Sequence, residues 1–125
     1  MNLSVDPDDP TPPYEQLRRQ VADLVGAGVL RSGDRLPPLR QLAGDLGLAV
    51  GTVARAYREL EGAGLIATRR GGGTRVAEHA RPAPEVERTA RLEQLAQTFV
   101  TRARALGATE AEIRAALGSV DRGVV

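Results

Sequence analysis

The chain has 125 residues, 42% hydrophobic and 2% aromatic, enough for one modest core or a small domain with an appendage. It holds no cysteine and a single histidine, His79, which excludes disulfides, thiolate nucleophiles, cysteine zinc sites and paired-histidine metal motifs. Net charge is +1, every basic residue is arginine, and no apolar run approaches the ~18 residues of a membrane span. The start, MNLSVDPDDPTPP, is acidic and proline-rich with no signal-like apolar stretch, so a cytoplasmic protein is expected.

The charge is unevenly spread. Residues 1–34 carry three arginines against six carboxylates, a net of −3. Residues 35–81 carry eight arginines against four carboxylates, a net of +4. Residues 82–125 balance to 0. The basic part is the middle third.

Four prolines within residues 6–13 dictate an extended arm. Asp6, Asp8 and Asp9 on that arm read as solubilising charges. Pro13 suits the first turn of a helix, and Tyr14, Leu17, Val21, Leu24 and Val25 repeat at helical spacing, predicting a helix over 13–27. Ser32-Gly33-Asp34 signals a turn. Pro37-Pro38 then permits a short helix over 38–46 with Leu39, Leu42, Ala43 and Leu46 on one face, stopped by a left-handed Gly47. After a tight connection, a helix over 51–63 turns Val53, Ala56, Tyr57 and Leu60 inward. Tyr14 and Tyr57 are read as core rather than base-stacking residues. Two short strands follow around Gly71-Gly72-Gly73, three glycines that offer the positive-φ positions of a hairpin loop. Helix, short helix, turn, helix and hairpin is the order of a winged helix-turn-helix.

Beyond a break at 80–84, where His79 marks an exposed linker, the chain turns helical again. Leu92, Leu95, Phe99, Ala103 and Leu106 form one stripe that ends at Gly107. Thr109 and Glu112 make a capping box for a last helix over 110–118, with Ile113, Ala116 and Leu117 inward. The expected fold is therefore mainly α with a small β-hairpin. A winged helix-turn-helix occupies 1–80 and a two-helix dimerisation segment 81–125, its contacts made by Leu92, Leu95, Phe99, Leu106, Ile113 and Leu117.

In a helix-turn-helix the second helix enters the major groove and its N-terminal residues meet base edges. Val50, Gly51, Thr52 and Arg55 hold that place here. Arg55 is suited to a bidentate contact with guanine or to a phosphate, and Thr52 to a phosphate or a thymine methyl. Arg40 sits in the first turn of the preceding helix. Arg69, Arg70 and Arg75 flank the glycine loop, where a wing runs along the DNA backbone. Arg58 and Glu61 are read as surface charges. The glycine run is no P-loop, since no Gly-Lys-Ser/Thr follows.

Residues 12–76 resemble the DNA-binding domain of the GntR family of bacterial transcription regulators. The likeness rests on Tyr14-Glu15-Gln16-Leu17, Gly33-Asp34-Arg35-Leu36-Pro37, Arg40-Gln41-Leu42-Ala43, Leu46-Gly47, Thr52-Val53, Leu60-Glu61, Gly64-Leu65-Ile66 and Gly73-Thr74. The short remainder, with FVTRARALGATEAEIRAAL at 99–117, is similar to the YtrA-type subfamily, in which two C-terminal helices make the dimer. The resemblance carries over Arg40, Thr52, Arg55, Gly72 and Gly73 as DNA-binding positions, with Arg70 added from the wing. The chain departs from the family at Ala49-Val50, where many members have Ser-Arg, and at Pro38-Leu39, where Ser and Glu are usual. The family's base-contacting arginine is thereby missing, and loss of the serine cap costs about 1 kcal/mol unless Gly51 takes the cap.

The resemblance implies a sequence-specific regulator, a repressor, binding a roughly palindromic double-stranded operator as a homodimer. A winged-helix adaptor for an acidic protein partner is the alternative, since fold alone does not fix function. No enzyme, cofactor or metal is expected. A chain without lysine forms no pyridoxal-phosphate Schiff base, the chemistry of the aminotransferase-like domain on larger relatives. A small-molecule effector is left open, and no residue pattern marks a pocket for one.

Overall fold

A computed structural model describes the backbone of residues 2–78, 80 and 84–123, and the side chains of these except 121–123. His79, the expected linker residue, lies outside the described residues. The chain divides into two compact units, Met1–Pro84 and Glu85–Val125.

In the first unit α1 (Pro13–Gly26) begins where Pro12 leaves the backbone extended and Pro13 enters the first turn without a lost hydrogen bond. The arm before it is docked rather than free. Gln20 Oε1 accepts from the Ser4 N–H at 3.0 Å, and Gln16 Oε1 accepts from the Asp6 N–H at 2.9 Å while its Nε2 donates to the Asp6 carbonyl at 3.0 Å. Four residues of helix rise about 6 Å and two residues of extended chain about 6.6 Å, so glutamines one turn apart match alternate arm residues. Asp6 and Asp9 accept backbone N–H groups of Asp8 and Thr11, which turns the chain toward α1. Their carboxylates are turn-forming as well as solubilising.

The short helix α2 (Leu39–Leu46) starts one residue later than the sequence suggests, because Pro38 stays extended as its cap. Gly47 closes it in the left-handed conformation, φ 67°, which is strained for any residue with a Cβ. The helix α3 (Val50–Gly62) starts one residue earlier than expected. Its cap is Ala49, extended and without a side-chain hydrogen bond, and Gly51 lies inside the helix rather than at the cap. The strands β1 (Ile66–Arg69) and β2 (Gly73–Val76) pair antiparallel, Ile66 opposite Val76 and Arg69 opposite Gly73. The 33–36 segment adds to the outer edge of β2: the Leu36 N–H donates to the Thr74 carbonyl at 2.8 Å and the Val76 N–H to the Asp34 carbonyl at 2.8 Å.

Leu17, Val21 and Val25 of α1, Leu42 and Ala43 of α2, and Val53, Ala56, Tyr57 and Leu60 of α3 form one core with Leu30, Leu36, Ile66 and Val76. Removing a Leu or Val side chain of this kind from water stabilises by about 1.5–3 kcal/mol. The ring of Tyr57 is in that core as expected, and its hydroxyl donates to the Pro37 carbonyl at 2.8 Å. Burial pushes its pKa up to about 12. The unit is a winged helix-turn-helix: α2 and α3 joined by a three-residue turn, with β1–β2 as the wing.

The second unit holds α4 (Glu85–Ala105) and α5 (Glu110–Gly123). The capping box forms as read: the Glu112 N–H donates to Thr109 Oγ1 at 3.2 Å and the Thr109 N–H to Glu112 Oε1 at 2.9 Å. That backbone N–H of Thr109 holds the Glu112 carboxyl below the usual carboxylate range. The helix runs past the expected stop near 118, because Gly118 lowers helix propensity by about 1 kcal/mol without removing a hydrogen bond. Leu92, Leu95 and Leu117 are 65%, 50% and 55% exposed, and Leu106 lies just beyond α4 at 89%. Phe99 is exposed too, whereas Ile113 is buried.

Candidate nucleic-acid interface

Helix α3 buries one face, through Val53, Ala56, Tyr57 and Leu60, and turns the other outward. Helical spacing puts Gly51, Ala54, Arg55 and Arg58 on the outward stripe, with Thr52 on its flank. All but Thr52 and Ala54 are exposed, and those two are half-buried. Small residues at 51 and 54 keep that stripe low between exposed Val50 and Arg55, so the helix backbone can approach a groove closely there.

The arginines of this unit differ in what they already hold. The Arg55 guanidinium stacks on the ring of Tyr14, 3.7 Å from its centroid, and its Nε lies 3.8 Å from Glu59 Oε1. Tyr14, expected as core, packs partly on the core and serves as the platform for this cation. The ion pairs continue across α1: Glu59 lies 3.8 Å from Arg18, Arg18 is hydrogen-bonded to Glu15, and Arg19 reaches Glu15 at 3.2 Å. The hydrogen bond from Arg18 holds the Glu15 carboxyl below its ordinary range.

In the wing, Arg75 is a structural tie. Its Nε donates to the Gly72 carbonyl at 3.2 Å and its Nη1 to the Gly33 carbonyl at 3.1 Å. Arg69 pairs with Glu78 at 3.3 Å. Arg70 is exposed at the loop between the strands and makes no hydrogen bond or ion pair among the described residues. Of the three loop glycines Gly71 and Gly73 supply the positive-φ positions, at 78° and 70°, and Gly72 does not. At Gly73 a Cβ would also lie 3.1 Å from Arg35 Nη2, a close approach that the sequence does not reveal. Thr68 Oγ1 donates to Glu61 Oε1 at 2.6 Å, which ties the wing to the end of α3. Arg40 is exposed in the first turn of α2, again without a partner among the described residues.

Arg40, Thr52, Arg55, Arg70, Gly72 and Gly73 therefore all belong to the first unit, three of them on the helix-turn-helix and three at the wing loop. Tyr57 ties α3 to the segment that leads into α2 through its bond to the Pro37 carbonyl. Among the described residues no group of acidic or histidine side chains is arranged to hold a metal ion, and no helix is long and apolar enough to cross a membrane.

Residues 13–76 match the model of the family described as "Bacterial regulatory proteins, gntR family". The chain is 46% identical over 110 residues to the HTH-type transcriptional regulator Rv1152 of Mycobacterium tuberculosis, covering 88% of this chain and 86% of that one. It is 39% identical over 99 residues to the HTH-type transcriptional repressor YtrA of Bacillus subtilis, covering 78% of this chain and 76% of the relative. Its fold is similar to that of YtrA from Sulfolobus acidocaldarius, a GntR-family transcription factor, with a TM-score of 0.55, 28% identity and 98% of each chain covered.

Proposed function

The chain belongs to the GntR family as a YtrA-like DNA-binding transcription regulator, and from that premise we propose that it is a cytoplasmic repressor that binds a roughly palindromic operator as a homodimer. Each protomer would set α3 in the major groove and the wing on the adjacent backbone. The observation that carries this reading is the outward face of α3. It is small at Gly51 and Ala54, and the helix is tied to the wing through Glu61 and Thr68. Arg40, Thr52, Arg70, Gly72 and Gly73 make the proposed contacts with DNA, and Arg55 lies among them on the outward stripe of α3. Thr52 supplies a hydroxyl near the start of the helix. Arg40 and Arg70 supply charge on either side, and Gly72 and Gly73 let the wing backbone come close to phosphates.

The two-helix unit is the proposed dimerisation element. Leu92, Leu95 and Phe99 stand three and four residues apart on α4 and remain exposed in the single chain. A C2 dimer brings two such stripes together and sets two α3 helices on two half-sites.

Footprinting on the DNA upstream of its own gene tests the function. A protected, roughly palindromic stretch, lost on competition with the same unlabelled fragment and retained against unrelated DNA, is expected. Arg40→Ala should weaken binding to every duplex alike if Arg40 holds a phosphate. Binding with no sequence preference would reject the specific-regulator reading. Derepression of a reporter on deletion of the gene would support repression, and loss of expression would argue for activation.

A further inference from the structure

The two arginines on the outward stripe of α3 are not equivalent. Arg55 is stacked on Tyr14 and lies beside Glu59, so its guanidinium already bridges α3 to α1. Arg58, one turn further along, is exposed and makes no hydrogen bond or ion pair among the described residues. This is not for lack of carboxylates, because α3 carries two within three residues of it. Glu59 is directed to Arg18 and Arg55 on the α1 side. Glu61 is held by the hydroxyl of Thr68 on β1. Both acids face other elements, and the charge of Arg58 is left to solvent.

We propose that Arg58 is a DNA-backbone contact of α3, and that Arg55 is a positioning residue that sets α3 against α1 rather than the side chain that reads a base. The proposal rests on the DNA-binding reading above. Its geometry follows from helix length. Arg58 stands eight residues beyond Val50, and at 1.5 Å per residue that is about 12 Å along the axis. The major groove is about 8.5 Å deep. A helix whose first residues meet base edges therefore carries an arginine at that distance out to the rim, where the phosphates are. Arg58 has a long side chain, full charge and no competing acid, which suits a phosphate ligand.

Fluorescence anisotropy on a short duplex of mixed sequence, over a salt series from about 50 to about 200 mM, tests this with the full chain. Arg58→Ala should lower affinity several-fold, reduce the slope of log K against log salt by about one phosphate contact, and leave the melting temperature unchanged. Arg58→Lys should restore the slope, since a point charge suffices for phosphate. Arg55→Ala should lower the melting temperature and weaken binding with no change in slope, and Arg55→Lys should not recover the loss, because an ammonium lacks the planar stack on Tyr14. Wild-type affinity and slope in Arg58→Ala would overturn the assignment. So would a reduced slope with unchanged melting in Arg55→Ala, which would exchange the two roles. A wild-type protein that shows no salt-dependent binding to any duplex would instead remove the DNA-binding reading beneath both.

Discussion

Gly73 is constrained twice at one atom position. Its φ of 70° costs an L-residue about 1–2 kcal/mol, and the Arg35 guanidinium comes within 3.1 Å of where a Cβ would be built. Gly72, its neighbour, has no positive φ, and a Cβ there would meet Arg69 Cβ at 3.4 Å, an ordinary contact. Gly73→Ala should therefore destabilise the protein by about 1–2 kcal/mol or more, with Gly72→Ala close to neutral. Urea denaturation of the two variants checks this, and equal midpoints would refute it. A run of three glycines announces a loop but does not say which member needs to be glycine. The same holds for the arginines. All carry one charge in the sequence, and only their partners separate Arg75, which ties two backbone carbonyls, from Arg70, which ties none.

Helix α3 begins with an unfilled cap. Ala49 has the extended backbone of an N-cap, and its carbonyl accepts from the Thr52 N–H at 3.0 Å, yet no side chain accepts from the first turn. Ala49→Ser should add that acceptor and stabilise by about 1 kcal/mol, raising the melting temperature by roughly 4–8 °C for a domain of this size. A thermal scan showing no rise would mean that solvent already satisfies those donors as well as a serine does. The absence of a cap at Ala49 was visible in the residues alone. Which residue takes the cap was not, because Gly51 was an equally open candidate until the backbone placed the start at Val50. The same limit applies to α5, whose start was legible from Thr109 and Glu112 and whose end was not. Capping boxes write a start into the sequence, whereas one glycine only weakens a helix.

The core of the first unit draws on α1, α2, α3 and both strands, and all of its members lie before residue 80. That unit therefore carries its own hydrophobic stabilisation. A chain ending at Pro84 should fold, and it should be monomeric if the exposed stripe on α4 makes the dimer. Sedimentation equilibrium of the full and shortened chains checks this. A shortened chain that still dimerises, or a full chain that stays monomeric at the same concentration, would defeat the proposed role of Leu92, Leu95 and Phe99.

The net charge of +1 conceals a basic middle segment, and segment-wise counting was enough to find it. Periodicity and turn chemistry were likewise enough for the order of elements, the inward faces of the three helices and the wing, because those are local or near-local properties of the chain. The use of each charged side chain was not available that way. Arg55 meets Tyr14 across about forty residues of sequence, Glu61 meets Thr68 across the turn into the wing, and Arg35 approaches Gly73 across nearly as many residues as separate Arg55 and Tyr14. Long side chains find partners by proximity in space, and proximity between distant segments exists only after α1, α3 and the wing have packed on one core.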